Sequence, residues 1–142
     1  TSSYKRLLQK GLILLIVIGI VGGLAWFTLS RPKLPPTNMQ GHIEKSPSFH
    51  VLDKPMPEVI QKHMLEHADG AGRPGVIIQY NCKKYSCEKN LVANLKKLVK
   101  NYPEHVYLAP GDYDGKIILT KLGEREILDK FDEQKISDFV EE

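Results

Sequence analysis

Residues 11–29 read GLILLIVIGIVGGLAWFTL, nineteen residues without a charge. As a helix rising about 1.5 Å per residue, the segment measures about 28 Å, close to the roughly 30 Å hydrocarbon core of a bilayer. No other stretch of the chain approaches it. The sequence is therefore expected to cross a membrane once and to present the rest of the chain to water as one small domain. Any chemistry is then carried out beside a lipid surface.

Lys5, Arg6 and Lys10 precede the apolar run. The run is longer than the roughly 7–15 residues of a signal-peptide core, and no A-x-A-like site follows it, which predicts an uncleaved signal-anchor. Three basic residues before the span against two after it (Arg31, Lys33) favour an N-terminus inside the cell and residues 31–142 outside the cytoplasm. Trp26 and Phe27 sit where an interfacial aromatic belt belongs. Gly19 and Gly23 have the small-xxx-small spacing that lets a second helix approach in lipid. Glycine is also simply common in membrane spans, so this face is a candidate for docking on a larger membrane protein rather than a proof of it.

All 17 acidic residues lie at Glu44 or later, with 15 of the 20 basic ones, so the domain carries 15 − 17 = −2. A nearly neutral domain without a basic stripe argues against a nucleic-acid partner. Lys96, Lys97 and Lys100 read as a solvated helix face.

Three regions are expected: an anchor at 1–30, a Pro-rich extended segment at 31–54, and a small α/β domain at 55–142. Pro32, Pro35 and Pro36 favour an extended spacer, and the segment as a whole is expected to wrap over a surface. Pro57 and Glu58 suit a helix start, with PEVIQKHMLEHA as its body and Asp69-Gly70 as its stop. GVIIQY reads as a buried strand. Ser86 is placed to cap a helix over CEKNLVANLKKLVKNY, ended by Pro103. HVYLAP reads as the second strand, and KIILTKL with REILD as a hairpin across Gly123. Asp132 is expected to cap a last helix with Ile136, Phe139 and Val140 on its apolar face. The resulting fold class is α/β: a helix, then β-α-β-β-β-α, an open four-stranded sheet with a parallel crossover and a partly thioredoxin-like order.

Four of the five histidines and all three methionines fall within residues 39–67. His63 and His67 stand four apart, on one helix face, where two imidazoles can share an ion. Met56 returns to that face if the helix extends backward, and His42, His50 and Met39 lie upstream. Imidazole with thioether is a copper-like donor set, and imidazole with carboxylate suits zinc; copper is the first choice and zinc the second. The competing reading makes Met56, Ile60, Met64 and Leu65 core and the histidines hydrogen-bonded at a helix end. His63, Glu66 and His67 also match H-x-x-E-H, with Glu66 as a general base, but a hydrolase needs a third ligand and a cleft. Cys82 and Cys87, the only cysteines, most simply form a disulfide outside the cytoplasm. The alternative is a redox thiol, Cys87 at a helix N-terminus. No complete catalytic set is legible, which disfavours an enzyme.

The stretches HMLEHADG, GVIIQYNCKKYSCEKNLVANLKKLVKNYP, VYLAP, ILTKLG and LDKFDEQKISDFVE together resemble the bacterial family catalogued as domain of unknown function 3105. The likeness covers residues 41–141. It implies a membrane or lipid anchor followed by a histidine-bearing domain, with the family's histidine motif on His63, Glu66 and His67 and its upstream histidine on His50. The chain departs from the pattern in having Ala68-Asp69 after the second histidine and no tryptophan between His50 and His63. The expectation is an accessory subunit of a larger bacterial membrane complex, respiratory or metal-dependent, in the inner membrane with its domain on the periplasmic side. A free-standing metal carrier or electron-transfer protein is the alternative, with a metallohydrolase or thiol oxidoreductase behind it.

Overall fold

A computed structural model describes residues 1–68 and 72–142 and divides the chain into two compact units, Thr1–Pro32 and Lys33–Glu142. The first unit is one helix, α1 (Ser2–Leu29), long and apolar enough to cross a membrane. None of its residues is buried within the protein. The turn after it is closed by Ser30 N–H donating to the Trp26 carbonyl at 2.9 Å, and the Arg31 guanidinium lies 4.4 Å from the Phe27 ring centroid.

The second unit contains α2 (Glu58–Glu66), β1 (Val76–Tyr80), α3 (Leu91–Val99), β2 (Val106–Pro110), β3 (Ile117–Lys121), β4 (Glu124–Leu128) and α4 (Glu133–Glu141). The strands form one sheet in the order β2-β1-β3-β4. β1 and β2 are parallel, as a strand-helix-strand unit requires, and β3 is antiparallel to both neighbours. The α/β class and the element order are those expected from the sequence.

Alternation along β1 and β2 builds a core on each face of the sheet. Val76, Ile78, Val106 and Leu108 pack with Leu91, Leu95 and Leu98 of α3 and Ile136, Phe139 and Val140 of α4. Ile77, Tyr107 and Ala109 point the other way, onto Met56, Ile60, Met64 and Leu65 around α2. The two central strands therefore read as continuous apolar runs, because both of their faces are covered. β4 is exposed at one edge and carries Glu124, Arg125 and Glu126, charges that discourage further strand pairing. The other edge, β2, is covered by the segment that follows the anchor: Val51 bridges Leu108, Leu108 N–H donates to the His50 carbonyl at 2.7 Å and Leu52 N–H to the Leu108 carbonyl at 2.8 Å.

That segment lies on the domain from Lys33 onward. The Lys33 carbonyl accepts from Asp114 N–H at 2.7 Å, its ammonium pairs with Asp112, the Pro35 carbonyl accepts from Arg125, and the Thr37 carbonyl accepts from Gly123 N–H at 2.8 Å. Gly123, at φ 81°, closes the tight β3–β4 turn in a conformation glycine adopts without strain.

Three helix boundaries differ from the sequence expectation. α3 begins at Leu91, not at Cys87, and Ser86 does not cap it; Asn90 stands at that position without a side-chain cap. The reason is the Cys82–Cys87 disulfide, which ties Cys87 back towards the end of β1 and holds residues 87–90 outside the helix. α3 also stops at Val99, where Asn101 and Tyr102 N–H groups turn back onto the Leu98 and Val99 carbonyls, four residues before Pro103. α2 has Pro57 as its N-cap and ends at Glu66, because Ala68 N–H turns away to the Arg73 carbonyl (2.8 Å) and Gly75 N–H occupies the Met64 carbonyl (2.8 Å). The stop foreseen at Asp69-Gly70 falls outside the described residues. Asp132 does cap α4, accepting from Lys135 N–H at 3.1 Å.

Candidate metal centre

α2 is held to the sheet at both ends, and this fixes the side chains it presents. Near its start the buried Gln61 amide donates to the Met56 carbonyl at 2.8 Å and to the Tyr113 hydroxyl at 3.1 Å, while its oxygen accepts from Gln79 of β1 at 3.1 Å. Near its end Gly75 approaches Met64 backbone to backbone. Met64 and Leu65 are fully buried, and full burial of such side chains stabilises a fold by about 1.5–3 kcal/mol each. With Met64 turned into the core, His63 and Glu66 are left on the helix face that meets the segment carrying His42 and Glu44.

Ligand atoms of His42, Glu44, His63 and Glu66 all lie within 4.8 Å of one another. His42 Nε2 is 2.8 Å from Glu44 Oε1 and 2.8 Å from Glu66 Oε2. His63 Nδ1 is 3.6 Å from Glu44 Oε2. Ligands about 2.1 Å from a tetrahedral ion stand roughly 3.4 Å apart, so the observed spacing needs only small side-chain adjustments to close on one ion.

Two details distinguish this cluster from an ordinary surface ion-pair network. His63 is 4% exposed, and its Nδ1 is buried without a hydrogen-bond partner; Glu66 Oε2 is likewise buried, its 2.8 Å ion-pair contact with His42 Nε2 not aligned as a hydrogen bond. Buried polar atoms normally find partners, and an ion would supply one for both. The second detail is the orientation of His42. Its Nδ1 lies 2.7 Å from the Met39 carbonyl; a carbonyl only accepts, so Nδ1 carries the proton and donates. With Nε2 protonated the ring donates to the Glu44 carboxylate; once that proton leaves, the Nε2 lone pair points at the two carboxylates. A ligating histidine is commonly fixed in this way, with its other nitrogen donating to a backbone carbonyl.

The electrostatics agree. The Met39 carbonyl first, and then the Glu44 carboxylate, raise the His42 pKa above its usual value, because both stabilise the imidazolium. Glu44 is lowered, first by its hydrogen bond with His42 and then by His63 and His67. A cation at the cluster would compete with the His42 proton for the same nitrogen.

The residues singled out from the sequence are distributed as follows. His42 and His63 lie in the cluster. His67 stands beside it, with Nε2 4.0 Å from Glu44 Oε2 and its ring edge-on to His63 at 4.5 Å between centroids. His50 lies along β2, its Nδ1 donating to the Val106 carbonyl at 2.8 Å and its ring stacked on Tyr107 at 4.3 Å. Met56 is 3% exposed, in the core beneath α2. Cys82 and Cys87 are joined as a disulfide, and Cys87, preceding α3 by four residues, receives no benefit from that helix's N-terminus. Glu44 is the member that sequence reasoning passed over, and Glu66 figured only as a possible general base. The available signal was His42-x-Glu44 in the histidine-rich stretch.

No family model, curated protein or solved structure matches this chain.

Proposed function

We propose that this chain is a membrane-anchored accessory subunit whose extracytoplasmic domain binds one divalent ion, zinc by its donor set, through His42, Glu44, His63 and Glu66. The observation that carries the reading is the buried, unpartnered His63 Nδ1 facing the Glu44 carboxylate at 3.6 Å. Two imidazoles and two carboxylates without sulfur suit zinc better than the thioether-assisted copper site that Met56 would have given. Four protein ligands fit a closed, binding site better than a hydrolytic one, which keeps a coordination position open for water.

Anchoring rests on α1. A domain outside the cytoplasm accords with the disulfide and with basic residues before the span. Docking to an integral membrane partner in the bacterial inner membrane is assigned to α1, where a methyl group added at Gly19 or Gly23 meets nothing within 4 Å.

The test is elemental analysis of the full chain in detergent after equilibration with zinc and with copper, beside His63→Ala. One equivalent of zinc, lost in the variant, is the expected result. Stoichiometric copper with no zinc would change the identity of the ion, and no bound metal in the unaltered chain would overturn the reading. Recovery of the chain in a stoichiometric membrane complex, against recovery alone, separates subunit from free carrier.

A further inference from the structure

The five ionisable groups around the cluster form a gradient from inside to outside. The side chains of His63, His42 and Glu66 are 5%, 20% and 35% exposed, whereas His67 is 42% and Glu44 73% exposed. Glu44 belongs to both ends. Its Oε1 meets His42, and its Oε2 faces His63 at 3.6 Å on the inner side and His67 at 4.0 Å on the outer side. His67 is outside the four-residue set, yet its ring touches that of His63.

Local backbone explains why His67 is placed differently from His63. His63 sits within α2 and its side chain is only 5% exposed, so the atoms enclosing it leave its ring little room to change rotamer. His67 is the residue at which α2 ends; its backbone is extended (φ −157°, ψ 140°), and only its N–H still bonds to the helix, on the His63 carbonyl at 3.1 Å. Its side chain is free to change rotamer at the surface without disturbing the helix.

Resting on the metal-binding reading above, we infer that the centre is an exchange site, in which His67 with Glu44 captures the ion at the surface and passes it to His63, His42 and Glu66. Glu44 keeps hold of the ion throughout, so that each step replaces one ligand rather than several. Outward transfer runs through the same pair, and the acceptor is a partner or small chelator that presents its own nitrogen or oxygen ligands at the Glu44–His67 lip. A group that acts only along the path, absent from the final set, lowers the barrier for entry and exit equally. It therefore changes rates and leaves affinity unchanged.

The experiment follows zinc transfer from the loaded full chain in detergent to the chromophoric chelator 4-(2-pyridylazo)resorcinol by stopped flow, with uptake measured separately and the dissociation constant by competition. His67→Ala is expected to slow both uptake and release by about tenfold or more, each factor of ten being about 1.36 kcal/mol of barrier, with the dissociation constant unchanged within about twofold. Free imidazole is expected to restore the rate in His67→Ala and to do little in the unaltered chain. Faster release with weaker affinity would make His67 an ordinary ligand and overturn the inference, and unaltered rates would make it a bystander and overturn it too. Neither result touches the metal-binding reading, which fails if the unaltered chain binds no ion or if His63→Ala keeps it.

Discussion

Gly75→Ala tests whether the placement of α2 depends on a backbone-to-backbone approach. A Cβ at Gly75 would lie 2.5 Å from the Met64 carbonyl oxygen and 3.3 Å from its carbon, whereas ordinary contacts begin at 3.4 Å. The oxygen belongs to helix backbone and cannot rotate aside, so α2 and the residue leading into β1 must move apart, by 3.4 − 2.5 = 0.9 Å if ordinary contact is to be restored. That movement strains or breaks the hydrogen bond from Gly75 N–H to the same oxygen, now 2.8 Å. Overpacking costs about 1–3 kcal/mol and a lost hydrogen bond about 0.5–1.5 kcal/mol, so a combined loss of about 1.5–4.5 kcal/mol is expected. For a domain of this size, at about 4 °C per kcal/mol, that lowers the melting temperature by roughly 6–18 °C. The assay is thermal unfolding followed in the near ultraviolet, where five of the six tyrosines report on the domain. His63 and Glu66 flank Met64 on the displaced helix, so zinc affinity is expected to fall as well. A melting shift below about 2 °C would refute the argument, because no adjustment that small opens the gap at so little cost.

Three further outcomes follow from other parts of the domain. Burial first, and then the positive charge of Arg73, push the His105 pKa below its usual value of 6.5 against the opposing Val140 carbonyl and Glu104. The unfolded chain then takes up that proton first, so this contribution to stability is intact above the unfolded pKa and is lost as pH falls through the depressed folded one. Urea unfolding at stepped pH should show a loss below about pH 6.5 that His105→Gln flattens. Asp132→Ala removes the α4 cap and should cost about 1 kcal/mol in urea unfolding, with Asp132→Asn nearly neutral. Reducing the Cys82–Cys87 disulfide opens a loop of sequence separation 5. By the loop-entropy argument this should cost about 2 kcal/mol, read as a shift in urea midpoint with and without dithiothreitol.

The fold was largely legible because its signals are local. Val76 to Ile78 and Val106 to Ala109 are apolar without interruption, which marks strands covered on both faces, and Leu91, Leu95 and Leu98 repeat at helical spacing. The errors fell where a distant bond decided the outcome. CEKN continues a good helical pattern, but a disulfide to a residue five positions earlier keeps it from joining α3. The end of α2 was read from glycine punctuation, whereas it is set by the Arg73 and Gly75 backbone returning to Ala68 and Met64.

The candidate site was legible in half, for the same reason. His63 and His67 at four apart advertise a shared helix face, and that periodicity also nominated Met56. Yet the spacing that returns a side chain to one face does not say which face, and Met56 went to the core with Ile60 and Met64. The remaining ligands arrive from an irregular segment, nineteen residues before His63 in the case of Glu44, with no period to announce them. Their position follows from where that segment is fastened: Thr37 to the β3–β4 turn at one end, His50 and Leu52 to the edge of β2 at the other. Between these points the chain passes the end of α2, and the Met39 carbonyl turns His42 so that Nε2 meets the carboxylates. The same strap that closes the open edge of the sheet thus carries half of the donor set. Loosening it, by Val51→Asp for example, should expose the edge of β2 and weaken zinc binding together, whereas a site built on α2 alone would keep its affinity.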